Sequence, residues 1–309
     1  VSAGSAPGER LAREHVAVVV VLYNSAPLLA DLVASLPGGL RGVSYQLVGV
    51  DNDSDDDGPD VLESLAPDAL VVRTGRNGGY AAGLNAGVAV ADPHTAVLLL
   101  NSDVRLEEGC VAELLLRLRD RGAGIAVPRL TGAQGELIAS IRREPSCVRS
   151  FFDAVLSAKV AGRVLRLGEV VTDPRAYEHE QLVDWAEGST QLVSAECWQT
   201  CGPWDESFFL YCEETDYGLR ARDAGLGTLY VPTARAIHLE GGSSTSVDWL
   251  WSLQTVNRLK LYRRRHGGVP SFLFWAVTLL REVTRAALGR TKNRAAARAL
   301  LDPRLLSES

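Results

Sequence analysis

The sequence predicts an α/β fold built on a mostly parallel sheet, and three observations carry that expectation. The run "VAVVVVLY" (16–23) is continuously apolar and rich in β-branched residues, the pattern of a strand buried on both faces. Strand-like runs then alternate with stretches whose apolar residues recur at helical spacing. The first four strand-like runs also end in polar residues, as expected where a ligand sits outside the carboxyl ends of parallel strands.

The elements follow in order. After the first strand, Asn24 and Ser25 offer a cap and Pro27 opens the helical "PLLADLVASL". "YQLVGVDN" (45–52) is a second strand running into a cluster of acids, and "ALVVRTG" (69–75) is a third. "YAAGLNAGVAVA" (80–91) reads as a helix and "TAVLLLNSD" (95–103) as a fourth strand. Beyond Leu130, "TGAQGELIASIRREPSC" suits a hairpin and a mobile loop, and "LVDWAEGSTQLVSAECW" (182–198) a strand entering a short apolar segment. "FLYCEETDYGLRARDAGL" is a loop feeding a helix, with Glu213, Glu214 and Asp216 in its first turn, where the helix dipole favours acids. A last strand leads to His238 before a Gly-Ser loop, and 249–266 is helical with a cationic end.

Composition places the chain among ordinary globular proteins, at 46% hydrophobic and 23% charged residues. Five cysteines form no CxxC pair, which fits buried thiols in a reducing cytoplasm. The first fifteen residues are polar, with no apolar core of a secretory signal, and are expected to be flexible. The net charge of −6 is uneven: from Arg258 onward there are 12 basic and 3 acidic residues, against 20 and 35 before it. An acidic body with a basic tail suits contact with an anionic surface. "SFLFWAVTLL" (271–280) is too short to span a bilayer. With the basic helical stretch after it, it fits either an amphipathic helix on an anionic membrane or packing on the domain or on a second subunit.

No GxxxxGK[ST] occurs, which argues against a P-loop enzyme. "GRNGGYAAGLNAG" lacks the spacing that opens a dinucleotide fold, yet its glycines allow close backbone approach and Arg73 and Arg76 could meet a diphosphate. A sugar nucleotidyltransferase would need a Gly-rich G-x-G-T-R loop after the first strand, and "LYNSAPLL" has none.

The order of "VVVVLYN", "VDNDSDD", "NGGYAAGLNAG", "LLLNSDV", "GPWDESFFLYCEETDYGLRARDAG" and "AIHLEGGSS" resembles the inverting nucleotide-sugar glycosyltransferases of family 2, in the subgroup with bacterial rhamnosyl- and galactofuranosyltransferases. The resemblance covers 16–244. It implies a GT-A fold over 16–245, with a Rossmann-like nucleotide-sugar half (16–104) and an acceptor and catalytic half (105–245), before a basic helical extension (246–309).

Carried over residue by residue, the resemblance makes Tyr23, Asn24, Asp51 and Asp53 contacts to base and ribose. It sets Arg76, Asn77, Gly79 and Asn85 against the donor. The family's Asp-x-Asp metal motif falls on Asn101-Ser102-Asp103, so Asp103 is the expected anchor for Mg²⁺ or Mn²⁺, with His238 completing the shell. Glu214 aligns with the family's base, with Glu213 the alternative, and Asp216 and Arg220 orient the site or cap the helix. Trp204 and Asp205 suit either a platform that stacks on and bonds an acceptor sugar or a surface turn whose Trp plugs the core. The implied activity is inverting, metal-dependent transfer from a nucleoside diphosphate sugar to a hydroxyl of a glycan or lipid-linked glycan in cell-envelope synthesis. The implied setting is cytoplasmic or peripheral on the inner face of the plasma membrane, as a monomer or homo-oligomer, with no nucleic acid partner. A degenerate relative that binds nucleotide or glycan without turnover is the other reading.

Overall fold

The structure of the protein is a computed structural model that describes residues 6–156, 168–239 and 246–307. The Gly-Ser loop expected after His238 lies outside the described residues.

Four parallel strands form the first half of the sheet: β1 (His15–Leu22), β2 (Ser44–Asp51), β3 (Leu70–Arg73) and β4 (Ala96–Asn101), in the order β3-β2-β1-β4. The β-branched run 16–23 forms β1, at the centre of this half. Val16, Val18, Val20 and Leu22 point to one face and pack with Leu29, Leu32 and Leu36 of α2 (Ala26–Gly39). Val19 points to the other, toward Ala81 and Leu84 of α4 (Tyr80–Val90). Alternating strand side chains thus bury apolar surface on both faces, which is the main stabilising term. Between these helices, α3 (Gly58–Leu65) covers β2 and β3. A short helix, α1 (Pro7–Leu11), occupies part of the first fifteen residues, tied by an Arg10–Asp120 ion pair. Within residues 6–15, Leu11 gains burial against the core.

The second half departs from a purely parallel pattern. The chain turns at 102–103 into β5 (Val104–Leu106), then runs through α5 (Cys110–Arg121) into β6 (Ile125–Thr131). A tight hairpin follows, with Thr131 bridged to Leu137, and then β7 (Ile141–Arg142) and α6 (Cys147–Leu156). Next come β8 (Gln181–Val183), β9 (Trp185–Ala186) and β10 (Thr190–Ser194). β10 inserts antiparallel between β4 and β6, so the loop before β10 lies beside the carboxyl end of β4. The helices α7 (Ala195–Cys201) and α8 (Glu213–Asp223) precede β11 (Thr228–His238), which pairs with β6, β5 and β8. The ladder of β11 shifts register between Val231 and Arg235, where Pro232 has no amide hydrogen to give.

Four helices end the chain: α9 (Val247–Arg265), α10 (Gly268–Ala287), α11 (Thr291–Ala299) and α12 (Pro303–Ser307). The extension packs on the domain rather than trailing from it. Asn257 of α9 donates to the carbonyls of Leu210 and Tyr211 at 2.9 and 3.2 Å, and Lys260 to that of Ser207 at 3.1 Å. Beneath, Glu282 is 0% exposed and accepts from Trp251 at 2.9 Å and from Asn293 at 2.5 Å.

Besides the β4–β10 ladder, the two halves come into close backbone contact at Gly79. Gly79 has φ +90°, and a Cβ there would come within 2.2 Å of the Phe209 carbonyl oxygen. That carbonyl accepts the Tyr80 amide at 3.0 Å, and the Gly79 carbonyl accepts from Asn52 at 2.8 Å. Gly79→Ala is expected to cost ~2 kcal/mol or more, from left-handed strain plus a backbone clash. Urea unfolding measures this, and an unchanged midpoint would contradict the packing described.

Candidate active site

A cavity of about 450 Å³ opens at the carboxyl ends of β1, β2 and β4. One side is polar, with Asn24, Asn77, Asn101 and Asp103, and the opposite wall is Phe209, Leu210, Trp249 and Leu250. Tyr23 stands at it 46% exposed. Asn24 takes φ +52°, and its side chain accepts the Asp55 amide at 2.8 Å, which folds the acidic loop back over β1. Asp51 is buried and accepts the Ser54 amide at 3.1 Å, so it shapes that loop. Asp53 is exposed in a left-handed turn beside it. Asn77 accepts the Gly79 amide at 3.1 Å and holds the entry to α4.

Deeper in, the chain gathers charge. Asp103 follows β4 directly, and β11 ends at His238, whose Nε2 lies 3.3 Å from Asp103 Oδ2. On the other side of the imidazole, Nδ1 lies 3.0 Å from Glu187 Oε1, in the loop before β10. Burial lowers the His238 pKa, but the two carboxylates outweigh it and push it up to about 10. Burial likewise works to raise Glu187, and the contact with His238, helped by Arg142, holds it below the usual range. Asn101 gives its amide to the Ser189 carbonyl at 2.9 Å, while its own side-chain oxygen is buried without a hydrogen-bond partner.

Glu213 and Glu214 begin α8 after Tyr211 and Cys212, two consecutive non-glycine residues with φ +69° and +75°. Strain of this kind persists where neighbours over-determine the turn, and Asn257 grips the carbonyls of 210 and 211. Glu213 is buried, and burial together with the neighbouring Glu214 raises its pKa well above the carboxylate range. Burial raises Glu214 to about 7, with the charge of Glu187 adding to it. Each has one buried carboxylate oxygen with no hydrogen-bond partner. The Glu187-Gly188 loop runs against Glu214, since a Cβ on Gly188 would approach the Glu214 Cβ to 3.2 Å. The hydroxyl of Tyr80 reaches over it to donate to the Gly188 carbonyl at 3.3 Å.

Several expected contacts do not gather here. Asn85 lines a second groove with Arg76 and Glu206, and it accepts the Trp204 amide and donates to the Trp204 carbonyl, both at 2.9 Å. It clamps the loop after α7 to α4. The sugar platform allowed for Trp204 does not form: the ring is 1% exposed and stacks on Tyr217 at 5.2 Å, so no face remains for a ligand. Asp205 is turned to Arg264 and the Ser207 amide. Arg220 bonds Asp216 at 2.7 Å and the Pro203 carbonyl at 3.1 Å, which makes this pair a brace for the same loop.

Sequence reasoning missed Glu187, Tyr80 and the wall formed by Phe209, Leu210, Trp249 and Leu250. "WAEGS" did carry a signal, an acid and a glycine just ahead of the strand-like "TQLVS".

Residues 17–159 match the family described as Glycosyl transferase family 2. The N-acetylglucosaminyl-diphospho-decaprenol L-rhamnosyltransferase of Mycobacterium tuberculosis is 31% identical over 245 residues, 74% of this chain and 76% of that protein. The rhamnosyltransferase WbbL of Escherichia coli is 31% identical over 121 residues, 38% of this chain and 45% of that one. Among solved structures, a mannosyltransferase from Pyrobaculum calidifontis, determined with GDP-mannose and Mn²⁺, matches 96% of this chain and 86% of its own at a TM-score of 0.58 and 15% identity, a likeness of fold. With this cavity at the strand ends, the chain belongs to glycosyltransferase family 2 and is a nucleotide-sugar glycosyltransferase of GT-A fold.

Proposed function

We propose that the protein transfers a sugar, with inversion, from a nucleoside diphosphate donor to a hydroxyl of a lipid-linked glycan, with a divalent cation and with Glu214 as general base. The observation that carries the reading is that Asp103, on the cavity lining, pairs with His238, and that Glu187 on the far side of that imidazole adds its charge to Glu214, whose pKa is raised to about 7. A lipid-linked acceptor and a rhamnosyl donor are supported by the relative from Mycobacterium tuberculosis, whose name specifies both. The apolar wall of the cavity suits the methyl group of such a deoxy sugar.

The donor set fits Mg²⁺ or Mn²⁺. Asp103 offers a hard carboxylate and His238 an imidazole, both borne on strand ends, and a cation there would replace the proton that the two carboxylates favour on the ring. Among the described residues no group of three or more His, Cys, Asp or Glu is arranged to hold a metal alone. When bound, the cation supplies Lewis-acid stabilisation of the charge that grows on the leaving diphosphate. Glu187 sits on the far nitrogen of His238, where a carboxylate fixes the ring so that Nε2 faces Asp103.

The step balances within the chain's own residues. Ionised Glu214 takes the proton of the acceptor hydroxyl as its oxygen attacks the anomeric carbon. The bond from that carbon to the diphosphate oxygen breaks, and the nucleoside diphosphate leaves from the opposite face. Burial and the neighbouring Glu214 both favour the protonated form of Glu213, and the Glu214 pKa near 7 makes that residue the group proposed to change state near neutral pH.

A base acts only when ionised, so raising the Glu214 pKa to about 7 predicts that kcat/KM falls as pH drops below about 7 and levels off above it. Glu214→Gln should lower kcat by roughly 10²–10⁴ and leave donor affinity within a few fold. Equal loss of both would show that the residue shapes the donor site instead. Binding without turnover in the wild-type chain would indicate a degenerate relative.

Glu187→Gln should weaken Mn²⁺ binding in the presence of a nucleoside diphosphate by about tenfold or more, read by calorimetry. Asp103→Ala should abolish it. An unchanged Mn²⁺ affinity in Asp103→Ala would exclude this cation site.

A further inference from the structure

We propose that the outward face of α10 lies on an anionic lipid bilayer. The helix runs for 20 residues, and its inward side is set by Phe274, Thr278, Arg281 and Glu282, all buried. On the opposite side Val269, Phe272, Leu273, Leu280 and Val283 are each about half exposed or more, Phe272 at 61% and Leu280 at 52%. Their spacing by three, four and seven residues puts them in one stripe along the helix. The charged residues of α10 lie elsewhere: Arg281 and Glu282 are buried, and half-buried Arg285 donates to the Asp153 carbonyl at 2.6 Å. A helix facing water carries its charges outward, and an uncharged outward stripe of this length marks a surface that something covers.

Charge selects the occupant. Past the stripe, Arg290, Arg294 and Arg298 are exposed at four-residue spacing along α11. From Gly268 through Ala299 the single acidic residue is Glu282, which is buried. An apolar stripe ending in exposed cations matches acyl chains beside anionic headgroups. A second copy would bring the same cations and no acid to meet them. No helix among the described residues is long and apolar enough to cross a membrane, so α10 would lie in the interfacial plane.

The face belongs to the same helical unit as the reaction cavity, because α9 packs on α10 and α11 and carries Trp249 and Leu250 into the cavity wall. The purpose of this arrangement, delivery to a lipid-linked acceptor, rests on the function proposed above, whereas the membrane contact itself does not.

Sedimentation of the full chain with phosphatidylcholine vesicles, with and without phosphatidylglycerol, tests the contact with no donor, acceptor or metal present. Binding to the anionic vesicles is expected, and Phe272→Ser with Leu280→Ser should weaken it roughly tenfold or more. These side chains are exposed, so circular dichroism should be unchanged. Replacing Arg290, Arg294 and Arg298 by Gln should abolish the preference for anionic vesicles and its salt sensitivity. Failure of the wild-type chain to bind, or equal binding by the Ser variant, would overturn the proposal. So would a dimer in solution that the Ser variant turns into a monomer, since a second copy would then cover the face. Vesicle binding without transfer to a lipid-linked acceptor would leave this face standing and end the acceptor reading.

Discussion

The site depends on holding negative charge where water is scarce. Asp103 and Glu187 flank one imidazole, His238, and Glu214, with Glu213 beside it, feels the charge of Glu187, with Arg142 at the margin. Burying a carboxylate is costly unless a cation or a proton neutralises it. The chain resolves this unevenly. The two carboxylates favour the protonated form of His238, which in turn holds the Glu187 pKa down, whereas burial raises those of Glu213 and Glu214. In the function proposed here, one surplus of charge serves two ends, an attraction for a divalent cation at Asp103 and a carboxylate that accepts a proton near neutral pH.

Bringing these groups together is a matter of topology. Asp103 follows a strand of the parallel half and His238 ends a strand of the mixed half, and β10 lies between β4 and β6 so that its entering loop delivers Glu187. The contact of Gly79 with Phe209, the Asn85 clamp on Trp204 and the Asn257 grip on 210–211 then lock the halves together and steady the strained turn before Glu213. The C-terminal helices are part of this machinery, since α9 supplies both Asn257 and the apolar wall of the cavity.

Much of this was legible in the sequence because it was local. The strand at 16–23 and the polar ends of β1, β2 and β4 follow from periodicity, and Asp103 and His238 follow from motif order. What escaped was set by contacts between distant segments. Glu187 reads as a loop residue until β10 places it opposite β11. Trp204 reads as a platform or a core plug alike until Tyr217 stacks on its ring and Asn85 holds its backbone, which makes it the plug. Asn85 lies in the expected motif, but its amide is used to close the backbone of residue 204, and Trp249 sits in a helix that motif order treats as a tail.

The most direct measurement is a crystal structure of the full chain with Mn²⁺ and a nucleoside diphosphate. The charge arrangement predicts a metal ion within ~2.0–2.3 Å of both an Asp103 oxygen and His238 Nε2, sharing diphosphate oxygens, with Glu187 retained on Nδ1. A diphosphate bound in the cavity with no metal at Asp103 and His238, or with the imidazole turned away from Asp103, would contradict it.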